Sequence, residues 1–250
     1  MINETYYINE LKKHEYNFKK FMGIEAFPQY TICSKEASVL SAESQGYESI
    51  ARSHFDVKNN THTLTISTNC ELCEYIMFHE FTHMLDSENY VKNDPTRYIG
   101  LSGFTEYHAS QIELMALLGL SSIKNKPSFG MNRIIYTISG EKSVKQYISE
   151  KQQHAIELFS RDNFPSSIET LNASFGVLYN YWGLRSICKM YASDYMEDIR
   201  NQSFLKYIPT SVFVIQNGIM RGWLSDSTID KSIDLYARTI CSLIQQYKLH

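Results

Sequence analysis

Apolar and polar positions alternate along this chain with two periods, and the change between them divides it. Over Tyr6–Phe21, Leu11, Phe18 and Phe21 fall on one side of a helix with lysines opposite, and Pro28 ends the pattern. Short β-type runs follow at Tyr30–Cys33 and Ser49–Val57. Thr61–Thr68 is rich in β-branched residues and alternates, and Lys58-Asn59-Asn60 gives a turn signal ahead of it. The pattern predicts a hairpin from about Ser49 to Ser67. Thr68-Asn69-Cys70-Glu71 has the spacing of a capping box, so a helix is expected from about Cys70 to Glu88. Asn93-Asp94-Pro95 breaks the chain, and Ser102-Gly103 precedes a second expected helix over Thr105–Leu118.

The polar segment Ser121–Asn132, with Pro127 and Gly130, is the expected boundary between two parts, residues 1–125 and 126–250. Beyond it strand signals fade. Helical periodicity marks Glu141–Ser160, Ser167–Trp182, Leu184–Arg200 and Thr228–Lys248. The expected class is α+β, with a mainly helical C-terminal half. The aromatic run Leu178, Tyr179, Tyr181 and Trp182 reads as packing core, as does the apolar stripe Ile229, Ile233, Tyr236, Ile240 and Ile244.

Composition narrows the class of partner. Lys+Arg 24 against Asp+Glu 27 leaves a net charge of −3, so no basic surplus points to nucleic acid or an anionic membrane. No apolar run is long enough to span a bilayer, and the first thirty residues carry charges where a secretory signal would be apolar. The expectation is a soluble cytoplasmic protein. The five cysteines, Cys33, Cys70, Cys73, Cys188 and Cys241, form no disulfide framework. Cys70-Glu-Leu-Cys73 has redox or zinc spacing but lacks a second close pair, and reads as small residues in the first turn of a helix.

The chemistry concentrates in His79-Glu80-Phe81-Thr82-His83. Residues four apart share a helix face, so His79 and His83 can present two imidazoles to one ion, with Glu80 beside them to take a proton from water. Leu72, Ile76, His79 and His83 follow one stripe, which places the histidines on the expected inward face, where metal binding relieves their burial. Two histidines leave a catalytic zinc one protein ligand short. Asp86 and Asn89 stand where a third-histidine pattern would need Gly and His, and Asp94–Gly100 echoes an aspartate-ligand pattern only superficially. Glu106 lies 23 positions after His83, in the first turn of the next expected helix. Glu113, one face-repeat further on, is a competing ligand. His108 points about 200° away around the helix. Asp86 reads equally as an orienter of an imidazole or as a polar residue at a helix end. Cys33 is a remoter option as a metal ligand.

HEFTHMLD followed by TEYHASQIEL resembles the gluzincin-type HExxH metallopeptidases, and is most similar to the bacterial and phage ImmA/IrrE-like group, over roughly residues 47–120. The resemblance implies a zincin-like N-terminal half and one zinc per chain held by His79, His83 and Glu106. Glu80 is then the general base, and the activity is hydrolysis of peptide bonds in an intracellular protein or peptide. It also implies that an edge strand before the HExxH helix, here Thr63–Ser67, pairs with the substrate backbone. In relatives an Asp or Asn four residues past the ligand Glu supports a zinc histidine; this chain has Ser110 there. Tyr179, Tyr181, Tyr191, Tyr195 and His154 are open choices for an oxyanion donor. The alternatives are an idle zincin-fold regulatory module and a non-peptide amide hydrolase.

Overall fold

The computed structural model describes residues 4–39, 50–68, 70–91, 94–197 and 203–249. Ser49, Asn69, Asn93 and Arg200, which bound or complete several expected elements, lie outside them. The architecture is α+β, with a small sheet and a mainly helical remainder. The chain separates into two compact units, residues 1–95 with 112–126, and residues 96–111 with 127–250. Among the described residues, no helix is long and apolar enough to cross a membrane.

The first unit opens with helix α1 (Glu4–Met22), whose Tyr7, Leu11, His14, Phe18 and Phe21 are buried at alternating steps of four and three. Strands β1 (Tyr30–Lys35), β2 (Ala51–Asp56) and β3 (Thr61–Ser67) form a sheet in the order β1-β3-β2. The expected hairpin is present: β2 and β3 are antiparallel, Asp56 Oδ1 accepts from the Lys58 and Asn59 N–H groups, and Asn60 adopts a left-handed φ of 51°. Strand β1 adds in parallel to the other side of β3. Thr63–Ser67 is therefore the central strand with both edges paired, and the expectation that it is the edge offered to a substrate is wrong.

Helix α2 spans Glu74–Tyr90. It starts four residues later than expected: the capping box does not form, Cys70 precedes the helix, and extended Cys73 is its N-cap without a side-chain hydrogen bond. Backbone carbonyls of that segment are held by α1 instead, with Tyr7 Oη donating to Thr68 O and His14 Nε2 to Leu72 O. Met77, Phe78, Phe81 and Met84 supply the core face of α2, where Phe18 meets Phe78 and Phe81 at ring-centroid distances of 5.3 and 5.6 Å. His79 and His83 are only half-buried, on the flank of that face rather than within it.

Helix α3 runs from Pro95 to Leu117, ten residues earlier than expected, and its C-terminal turns belong to the first unit. Gly100 and Gly103 lie inside it. In the second unit a Cβ on Gly103 would sit 2.2 Å from the Tyr236 ring, and one on Gly100 2.6 Å from the Ile233 carbonyl. These glycines mark close helix packing, and Pro95 takes a first-turn position that proline tolerates.

The second unit adds a β4–β5 hairpin (Ile134–Thr137 and Gly140–Ser143), which the sequence reading missed. Helix α4 (Val144–Phe159) starts at a true capping box formed by Ser143 and Gln146. Ser167–Trp182 and Leu184–Arg200 were expected as two helices; Ile168–Tyr191 is one, α5. Gly183 does not interrupt it: its missing Cβ would lie 2.2 Å from the Tyr107 carbonyl, so the residue admits the α3 backbone. Helices α6 (Thr210–Ile219), also not expected, and α7 (Asp226–Tyr247) complete the unit. Tyr179, Tyr181, Trp182, Ile229, Ile233, Tyr236 and Ile240 are buried, as the core reading required, and Ile244 is half-buried.

Candidate metal centre

Helix α2 presents His79, Glu80 and His83 in its second and third turns. The two imidazoles are one turn apart, with ring centroids 4.8 Å apart and planes at 77°. Helix α3 presents Glu106. One potential ligand atom from each of His79, His83 and Glu106 lies within 4.8 Å of the others, and among the described residues this is the group that could hold a metal ion. Two imidazole nitrogens and a carboxylate oxygen, all on half-buried residues, form a donor set that could hold a divalent metal ion.

Glu113 has a different place. It is 5% exposed, and its Oε2 accepts from His79 Nδ1–H at 2.7 Å. An ionised carboxylate can only accept, so Nδ1 carries the proton and the lone pair of His79 falls on Nε2, the nitrogen left for an ion. Glu113 thereby holds the His79 ring in place. Ser110 donates from Oγ to Asn180 Oδ1 at 2.7 Å. The sequence signal was available: a carboxylate seven residues after Glu106 returns to nearly the same helix face.

Glu80 is also anchored. Its Oε2 accepts from the Ser53 main-chain N–H on β2 at 2.6 Å, a short charge-assisted bond. No sequence pattern identified Ser53, because the contact uses its backbone and depends on β2 lying beside α2.

The other candidates disperse. His108 stacks on Phe104 at 5.5 Å and meets Trp223 edge-on, in aromatic packing outside the metal-capable group. Asp86 is buried on α2. Cys33 is exposed on β1, and Cys70 and Cys73 are half-buried free thiols; none belongs to that group. Burial, with Glu71 and Cys70 nearby, pushes the Cys73 thiol up, away from a reactive thiolate. Tyr179 is fully buried and accepts at Oη from Gln216 Nε2, and Tyr191 accepts from Trp223 Nε1. Gly176 on α5 faces Glu106: a Cβ there would be 3.6 Å from Oε1. Tyr236 is fully buried, and burial together with the Glu106 charge pushes its phenol well above the usual range.

No protein-family model, curated protein or solved structure matches this chain.

Proposed function

We propose that this protein is a zinc-dependent metallopeptidase acting on a protein or peptide inside the cell. The observation that carries the reading is the convergence of His79, His83 and Glu106, with His79 turned by Glu113 so that Nε2 is the nitrogen offered to the ion. His79, His83 and Glu106 would hold the zinc. When bound, zinc supplies Lewis acidity, polarising a peptide carbonyl and making water a better acid.

The protein's own residues do the rest. Glu80 takes the proton of the attacking water and passes it to the leaving amine. Glu113 keeps the His79 tautomer fixed and its ring in place. Substrate backbone cannot enter along β3, which is paired on both sides, so the peptide is received elsewhere.

Purified protein is expected to carry about one zinc per chain, and Glu80→Gln to keep that zinc while losing hydrolysis. The substrate is found by comparing the proteomes of cells expressing the wild type and Glu80→Gln. A Gln variant that reproduces every wild-type cleavage overturns the mechanism. Absence of zinc from protein purified and dialysed with zinc overturns the whole reading.

A further inference from the structure

Glu80 sits next to a metal-ligand histidine, yet its described hydrogen bond goes to the sheet. Strand β2 is antiparallel to β3, with Ser53 opposite Leu64, and it is an edge strand among the described residues. The Ser53 N–H donates to Glu80 Oε2 at 2.6 Å and so points away from the ladder. A carboxylate has two oxygens. Fixing Oε2 on a main-chain donor leaves Oε1 to work, and fixes the plane in which it works.

We infer that the Ser53 main-chain N–H is the positioning group of the active-site base: it holds one oxygen of Glu80 so that the other faces the reacting water. This rests on reading Glu80 as that base. A backbone donor suits the task because it is carried by a sheet and has no rotamer freedom to lose, whereas a free glutamate samples several rotamers. Ser53 supplies the contact through its amide alone, so any side chain at this position serves, and proline does not. The same bond removes the Ser53 N–H from the set of donors that could pair with a peptide added along the outer edge of β2. Peptide recognition on that edge therefore has a gap in register at residue 53.

The test uses the zinc-loaded full chain and acetohydroxamic acid, a zinc-binding probe whose acidic proton is placed to bond with a correctly oriented Glu80. Ser53→Pro removes the N–H at a position not used by the ladder, where an edge strand tolerates proline. Zinc stoichiometry should stay at the wild-type value while hydroxamate affinity falls at least about tenfold, approaching the loss in Glu80→Gln. Ser53→Ala, which restores the N–H, should recover that affinity. In ¹H–¹⁵N spectra the Ser53 amide should resonate far downfield in the wild type and move upfield in Glu80→Gln, a signature that a merely structural serine would not give.

An unmoved Ser53 amide in Glu80→Gln overturns the proposal, even if Ser53→Pro does not fold. So does a folded Ser53→Pro protein that binds hydroxamate as the wild type does. If the loaded wild type binds hydroxamate no better than Glu80→Gln, the role of Glu80 as base falls, while the amide resonance still reports separately on the anchoring.

Discussion

Replacing Glu113 by glutamine isolates the contribution of a single charge behind the metal centre. The side chain keeps its length and an oxygen acceptor, so the fold around this 5%-exposed position should survive. What changes is the partner of His79 Nδ1, now 2.7 Å from an ionised oxygen. Hydrogen bonds to charged groups contribute about 1.5–3 kcal/mol and are roughly twice as strong as neutral ones, so the substitution removes about 1–2 kcal/mol. The glutamine amide can also turn its NH₂ toward Nδ1, which moves the imidazole proton to Nε2 and blocks the nitrogen meant for zinc. Both effects weaken binding. Zinc affinity should fall about 10- to 100-fold, in line with the loss of other ligand-supporting carboxylates. The assay is competition for zinc against a chromogenic chelator at fixed pH, with the melting temperature of the metal-free protein as the check on folding. Ser110→Ala is the matched control, since Ser110 bonds to Asn180 and should leave zinc affinity unchanged. If Glu113→Gln binds zinc within twofold of the wild type while His79→Ala has lost it, Glu113 does not orient the ligand and the account of this centre is wrong.

Three further expectations concern the scaffold. His62 is 3% exposed and stacks on Phe55, and burial lowers its pKa below the ordinary 6.5 despite the Glu88 carboxylate at 3.3 Å. The fold thus favours neutral His62: its contribution is constant above the unfolded value and is lost as pH falls below 6.5 through the depressed value, so urea midpoints should drop between pH 7.5 and 5.5, and less so in His62→Leu. Gly183→Ala places a methyl 2.2 Å from the Tyr107 carbonyl, which belongs to backbone and cannot rotate away; it should cost about 3 kcal/mol or prevent soluble expression, against little change for Gly218→Ala, whose Cβ meets nothing within 4 Å. Arg185 is 4% exposed and bonds the partly exposed Glu197 at 2.8 Å and Asn217 at 2.6 Å, so Arg185→Ala should cost about 1–3 kcal/mol in urea unfolding, and an unchanged urea midpoint would show that these contacts are not structural.

What could be read from the sequence follows the range over which each feature is encoded. The β2–β3 turn and the amphipathic α7 are local patterns, and each appears where its residues predict. The pairing of His79 with His83 also follows a local rule, since one helix turn separates them, whereas Glu106 entered through the resemblance rather than through any local pattern. The errors come from long-range packing. Whether β3 is an edge depends on β1 pairing in parallel with it from the other side, a contact that no alternation in Thr61–Ser67 encodes. Gly100, Gly103 and Gly183 fell outside the expected helices, and an isolated helix loses stability at glycine. Here a neighbouring helix occupies the space of each missing Cβ, and the packing overrides the propensity. The α2 start lies later because α1 captures the carbonyls of Thr68 and Leu72, leaving the local box unused.

The placement of Glu113 follows from the angular steps of helix α3. Each residue turns the helix by about 100°, so position 110 lies about 40° from Glu106 around the axis, whereas position 113 lies only about 20° away on the other side and about 10 Å further along. Ser110 is thus free to serve the packing of α5 through Asn180, and the supporting carboxylate moves one turn onward. A glutamate is longer than an aspartate, and from position 113 its carboxylate meets His79 Nδ1 at 2.7 Å. On the proposed reading, an imidazole ligand needs a fixed acceptor on Nδ1, and a position on α3 that can deliver one satisfies the chemistry. An Asp introduced at 110 in a Glu113→Ala background should therefore restore part of the lost zinc affinity only if its shorter side chain reaches His79, which makes reach along α3, rather than charge alone, the quantity that decides the ligand's orientation.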